Sequence, residues 1–147
     1  MPLRFIYGNL SFEEVRTFLL ETDDEFPTPL SAHVDIDSYA RKLSEFSDFA
    51  VCWDGEDIVG MISCYTNRPP LGYISNVCVK KKYQAQKVFS RLLHLLRTNA
   101  KERGISHLQL EVDVENGNAR QIYEHYGFRV LEIRPDSRKS LMELILG

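Results

Sequence analysis

The stretch Tyr73-Ile74-Ser75-Asn76-Val77-Cys78-Val79-Lys80-Lys81-Lys82-Tyr83-Gln84-Ala85-Gln86-Lys87-Val88-Phe89-Ser90-Arg91-Leu92-Leu93 decides how this chain folds. It opens, after the Pro69-Pro70 break, with a β-prone apolar run from Tyr73 to Val79. A basic turn then leads into Val88, Leu92, Leu95, Leu96 and Ala100, which recur at helical spacing up to Arg103, and Gly104 supplies the expected stop. A strand that runs straight into a helix aims the free N–H groups of the first helical turn at whatever lies in front of them. An anion such as a diphosphate suits that place, and Lys80, Lys81, Lys82 and Lys87 add positive charge beside it.

Downstream, Leu108, Leu110, Val112 and Val114 alternate with polar residues as a half-buried strand does. A short helix is expected over 119–126, closed by Gly127, and two last strands over 128–133 and 141–146. Upstream, 3–7 reads as a first strand. Ser11 with Glu14 forms a capping box ahead of Val15, Phe18 and Leu19. Pro27 and Pro29 break that helix, and Asp35 or Asp37 caps a second one through Ser44. Strands over 49–53 and 58–65 flank an Asp54-Gly55 turn. The order is strand, two helices, three strands, helix, strand, helix, two strands. That is a mixed α+β layer fold (α/β in the broad sense), not a doubly wound sheet.

Two motifs then carry a resemblance. The quoted stretch is similar to the strand, pyrophosphate loop and helix of the GNAT superfamily of N-acetyltransferases. The second motif is Leu110-Glu111-Val112, Asn116-Gly117-Asn118-Ala119 and Tyr123-Glu124-His125-Tyr126-Gly127-Phe128, which resembles the family's strand, Asn-x-x-Ala and Tyr-x-x-x-Gly-Phe sequence. The resemblance implies a central, mostly antiparallel twisted sheet of about seven strands flanked by four helices. It also implies acetyl-CoA as acyl-donor cosubstrate, and an amine that attacks the thioester directly. The cofactor-binding residues it implies are Val77, Cys78, Val79, Gln84, Ala85, Gln86, Lys87, Val88, Phe89, Ser90, Asn116 and Tyr123.

The loop departs from the family pattern, because Lys87 and Phe89 stand where glycine or alanine is usual. A side chain forced into left-handed geometry costs roughly 1–2 kcal/mol. Either the loop is an ordinary first helical turn with Lys87 on a phosphate, or cofactor affinity is weakened. Tyr123 holds the motif position of the family's general acid, since a phenol is protonated at neutral pH and can serve a developing thiolate. The general base is open. Asn76, where family members often carry a carboxylate, is an amide; Glu111 is one alternative and the Asp23-Asp24-Glu25 segment another. The competing reading is a catalytically degenerate, GNAT-like binding module.

Composition narrows the rest. The chain has 147 residues, 44% apolar and 27% charged, which suits one soluble domain over 1–147 with no linker or repeat. Cys52, Cys64 and Cys78 are scattered in apolar runs, so free thiols in a reducing, cytoplasmic setting are expected, with no metal site. No signal peptide or membrane span is read. Residues 1–48 carry ten acids against four bases, and residues 80–103 eight bases against one acid. Such segregation suits a cationic small-molecule amine on one side and an anionic ligand on the other. Net charge is −3, which argues against a nucleic-acid partner. The C-terminal strands are where two copies could pair as a homodimer.

Overall fold

Along Asp48–Asp54 the side chains alternate, so that Ala50 and Cys52 enter one apolar cluster while Phe49 and Val51 enter another. Every architectural feature follows from that two-sided sheet. The computed structural model describes residues 2–26 and 28–147; Pro27, one of the two expected helix breakers, lies outside the described residues.

The strands are β1 (Arg4–Gly8), β2 (Asp48–Asp54), β3 (Asp57–Arg68), β4 (Leu71–Val79), β5 (His107–Asp113), β6 (Arg129–Arg134) and β7 (Lys139–Ile145). They form one seven-stranded sheet in the order β1-β2-β3-β4-β5-β7-β6. All neighbours are antiparallel except β4 and β5. The α-helices are α1 (Phe12–Thr22), α2 (Ile36–Phe46), α3 (Val88–Glu102) and α4 (Gly117–His125). This is the mixed, mostly antiparallel architecture expected from the sequence.

Local chemistry sets the helix ends. The Ser11 hydroxyl accepts from the Glu14 N–H at 3.1 Å and the Glu14 carboxylate accepts from the Ser11 N–H at 2.9 Å, which completes the capping box of α1. Asp35, rather than Asp37, caps α2 by accepting from the Ser38 N–H at 3.1 Å. Asp37 instead pairs with Arg16 at 2.7 Å. Val15, Phe18 and Leu19 of α1 and Ala40 and Leu43 of α2 cover one sheet face. Val88, Leu92, Leu93, Leu96 and Ala100 of α3 cover the other. Burying each of these large aliphatic or aromatic side chains stabilises the fold by about 1.5–3 kcal/mol.

A bulge in β4 positions the site. Ser63 pairs with Asn76 but Cys64 pairs with Ile74, so Ser75 is an extra residue. The inserted residue flips the alternation: Ile74 and Val77, three apart, both face the α3 cluster, and Cys78 faces the α1/α2 cluster. Past the bulge β4 also leaves β5. Their parallel pairing covers only Leu71 to Tyr73 against His107 to Gln109. Beyond it the two strands splay.

Gly72 lies in the joined part of that fork, opposite Leu108. A Cβ there would come within 2.9 Å of Leu108 Cδ2 and 3.2 Å of Ile105 Cγ2, both in the core. Gly72→Ala is therefore expected to lower stability by about 1–3 kcal/mol through overpacking. A urea titration in which the midpoint falls at unchanged slope would confirm it; an unchanged midpoint would show that β5 gives way freely.

Candidate functional site

The splay opens into a cavity of about 690 Å³ between β4 and α4. Seven of the twelve cofactor-binding residues implied by the resemblance line it: Val77, Cys78, Val79, Gln84, Phe89, Asn116 and Tyr123. Ala85, Gln86, Lys87, Val88 and Ser90 do not. Val88 is fully buried against the sheet beside Gly60, leaving only its backbone for a ligand, while Ala85, Gln86 and Lys87 are exposed. Past Tyr73 the β5-side edge of β4 has no strand partner among the described residues.

At the far end of that edge stands the N-terminus of α3. Residues Lys81–Gln86 form a 3₁₀ turn, and the side chain of Lys87 makes no capping bond. The first-turn N–H groups of α3 are thus uncapped by a side chain and carry the positive end of the helix dipole. The expected ordinary helical turn is corrected here: Lys87 sits at φ 58°, ψ 27°, the left-handed geometry that glycine normally supplies. The chain needs that geometry to turn from the 3₁₀ segment into α3, and Val88 and Leu92 hold the start of α3 against the sheet. Lys87→Gly is expected to stabilise the fold by about 0.5–1 kcal/mol, the strain relieved less the extra entropy of glycine. Lys87→Val should instead destabilise it, since a branched side chain tolerates this region worst. Melting temperatures that rank Val above Gly would refute the assignment.

The lysine run makes contacts within the protein. Lys80 reaches Glu21 at 2.8 Å, the Lys81 N–H donates to the Glu25 carboxylate at 3.0 Å, and the Lys82 ammonium lies 5.8 Å from the Tyr83 ring centre. Lys80 and Lys81 tie the loop to α1 and the turn after it, and none of the three lysines lines the cavity. Gln84 donates to the Val79 carbonyl at 2.9 Å, closing the turn onto β4.

Phe89, in place of a small residue, builds an aromatic wall. Its ring meets Tyr123 edge-on at 5.9 Å and Tyr126 at 5.2 Å, and Tyr123 meets Phe128 at 5.7 Å. Each such contact adds about 0.5–1.5 kcal/mol beyond area burial and fixes a ring orientation. Burial, with a lesser contribution from the Cys78 thiol, pushes the Tyr123 hydroxyl up to about 12. It is a proton donor across the neutral range. Burial likewise pushes Cys78 up to about 11, so at neutral pH it is a thiol and not a nucleophile. Asn116 caps α4 by accepting from the Ala119 N–H at 3.1 Å. Its capping role and its place in the cavity wall coexist.

Glu111 lies outside the cavity wall. It stands two residues past the last paired position of β5, where the fork opens. Its carboxylate accepts from the Tyr73 hydroxyl at 3.0 Å and from Arg134 at 3.0 Å. Burial, then the bond to Glu111, raises the Tyr73 hydroxyl above its ordinary value, so it too stays protonated. Tyr73 was missed in the sequence because 38 residues separate it from Glu111. Pairing the strands in register would have found it. Of the acidic segment, Asp23 is committed to the N–H and hydroxyl of Ser31, which lower it. Glu25 lines the cavity, with Phe26 and His125 as further wall residues that the sequence did not single out. Asn76 is buried with its Oδ1 unpartnered among the described residues.

Charge divides as the geometry does. The acid-rich α1 and the charge-balanced α2 lie on one sheet face and the basic α3 on the other. Among the described residues no helix is long and apolar enough to cross a membrane, and no cluster of His, Cys, Asp or Glu has the form of a metal site.

The chain is similar to known proteins. The model of the Acetyltransferase (GNAT) family matches residues 13–128. N-alpha-acetyltransferase 30 of Schizosaccharomyces pombe is 28% identical over 94 residues, 61% of this chain and 61% of that protein. GCN5-related N-acetyltransferase 6, chloroplastic, of Arabidopsis thaliana is 27% identical over 81 residues, 53% of this chain and 28% of that protein. The chain thus spans less than two thirds of either relative. PaiA N-acetyltransferase from Thermoplasma acidophilum, solved in complex with coenzyme A, superposes with a TM-score of 0.75 at 18% identity, covering 99% of each chain. That likeness is one of fold. With the family match spanning both motifs, the chain belongs to the GNAT family of acetyltransferases.

Proposed function

We propose that this protein transfers an acetyl group from acetyl-CoA to the amine of a small cationic acceptor, as one domain acting in the cytoplasm. The observation that carries the proposal is the unpaired edge of β4, which runs from the fork at Tyr73 to the uncapped N-terminus of α3 and faces Tyr123 across the cavity. Acetyl-CoA supplies an activated thioester, an amide-bearing arm and a diphosphate. The residues present fit those parts. Backbone groups of Val77 and Val79 can hold the arm as an added strand would. N–H groups opening α3 can hold the diphosphate. Phe89 lines the same cavity.

The remaining chemistry is the chain's own. The Tyr123 hydroxyl donates its proton to the leaving sulfur. A backbone N–H on β4 polarises the carbonyl that is attacked. Glu111, held by Tyr73 and Arg134 at the mouth of the fork, takes the proton from the amine. The acids of α1 and of the turn Asp23–Glu25 draw a cationic acceptor towards the side opposite the basic α3. Three buried, unpaired thiols suit a reducing compartment.

Thiol release from acetyl-CoA, measured over a panel of polyamines, amino sugars and peptide α-amines, tests the proposal. Turnover with a small amine supports it. Turnover confined to peptide α-amines would move the acceptor to that class; the Schizosaccharomyces pombe relative is named an N-alpha-acetyltransferase. A rise in melting temperature with acetyl-CoA and no turnover on any amine would favour the second reading, a non-catalytic binding module, for which Phe89 and the amide at Asn76 speak.

A further inference from the structure

β6 forms one edge of the sheet, and all six of its residues are exposed. Three are large and aliphatic: Val130 is 40% exposed, Leu131 49% and Ile133 59%. A lone edge of this composition is a template for another strand. The opposite edge, β1, is protected differently, with Arg91 stacked 3.8 Å over Phe5 and Arg4 over Trp53.

We propose that β6 pairs with β6 of a second copy, antiparallel about a two-fold axis between Val130 and Leu131, and so makes the protein a homodimer. Charge selects the occupant and the register. This axis sets Arg129 opposite Glu132 of the other copy, twice by symmetry, and Val130 beside Leu131. Sliding by one residue sets Leu131 against itself and leaves both charges facing aliphatic residues; sliding by two sets Arg129 against Arg134. Facing side chains must also lie on the same side of the sheet, and residues three apart on a regular strand do not. Here they do. Arg129 opposes Glu143 and Glu132 opposes Leu141, with an extra residue at Leu131 between them. Glu143 and Leu141 share a face of β7, so Arg129 and Glu132 share it too. The bulge that would otherwise only bend the edge is what makes β6 complementary to itself.

Light scattering on the eluting full chain tests this at micromolar concentration. The wild type should elute at twice its 17.0 kDa mass. Glu132→Arg and Arg129→Glu, each placing like charges opposite one another, should halve that mass. The double variant Arg129→Glu/Glu132→Arg exchanges the partners and should restore it. Leu131→Lys, which puts a charge at the axis, gives an independent route to the monomer. Far-UV circular dichroism establishes that each variant is folded. A wild type of 17.0 kDa, folded single variants that keep the doubled mass, or a folded double variant that stays monomeric would each overturn the proposal. None of these results depends on the acetyl-transfer reading, because no acyl donor is present.

Discussion

Tyr123→Phe is expected to lower kcat by about a hundredfold or more while leaving the KM for acetyl-CoA within about twofold, the loss typical of removing a positioned general acid. The substitution deletes one oxygen and keeps the ring that packs on Phe89 and Phe128, so the wall and the cavity persist. Thiol detection over a range of donor concentrations at saturating acceptor separates the two constants. Because the hydroxyl sits at about 12, wild-type kcat should show no alkaline decline from Tyr123 between about pH 7 and about pH 10. The sign is fixed by burial: the neutral phenol is the favoured form, so raising the pH removes the proton late rather than early. Wild-type turnover in the phenylalanine variant would take Tyr123 out of the chemistry.

Glu111→Gln should cost about 10²–10³ in kcat/KM for the acceptor, because the amine then has no carboxylate to take its proton. The amide keeps an oxygen for Tyr73 or Arg134 to donate to, so a large structural effect is not anticipated. The residual rate of the variant should climb with pH as more of the acceptor is already deprotonated. A merely structural role would lower the rate equally at every pH. Glu111→Gln with an unchanged profile would pass the role to Glu25, the carboxylate that lines the cavity.

Much of this molecule was legible in its sequence, for local reasons. The capping box at Ser11 and Glu14, the alternation from Leu108 to Val112 and the left-handed glycines at 104 and 127 each act within a few residues of chain. They fix where elements begin and end, and hence the fold. Val77, Asn116 and Tyr123 were legible too, as members of a motif. What the sequence hid was long-range or contrary to propensity. Lys80 turned from the expected phosphates to Glu21, 59 residues away, and Glu111 turned to Tyr73 and Arg134. Lys87 adopted a glycine's conformation because the packing of α3 overrode the preference of a single residue. The bulge at Ser75 left no trace in a run of apolar and small polar residues, yet it decides which side chains reach the cavity.

A sheet that comes unzipped on purpose is an incomplete structure. Past Tyr73, the β5-facing amides and carbonyls of β4 lack the cross-strand bonds that their counterparts on β3 possess. Any molecule that lies along them in extended form completes the ladder, and that completion counts towards folding as well as affinity. If coenzyme A is that molecule, as proposed, the melting temperature of this protein would rise with its total concentration, acylated or free.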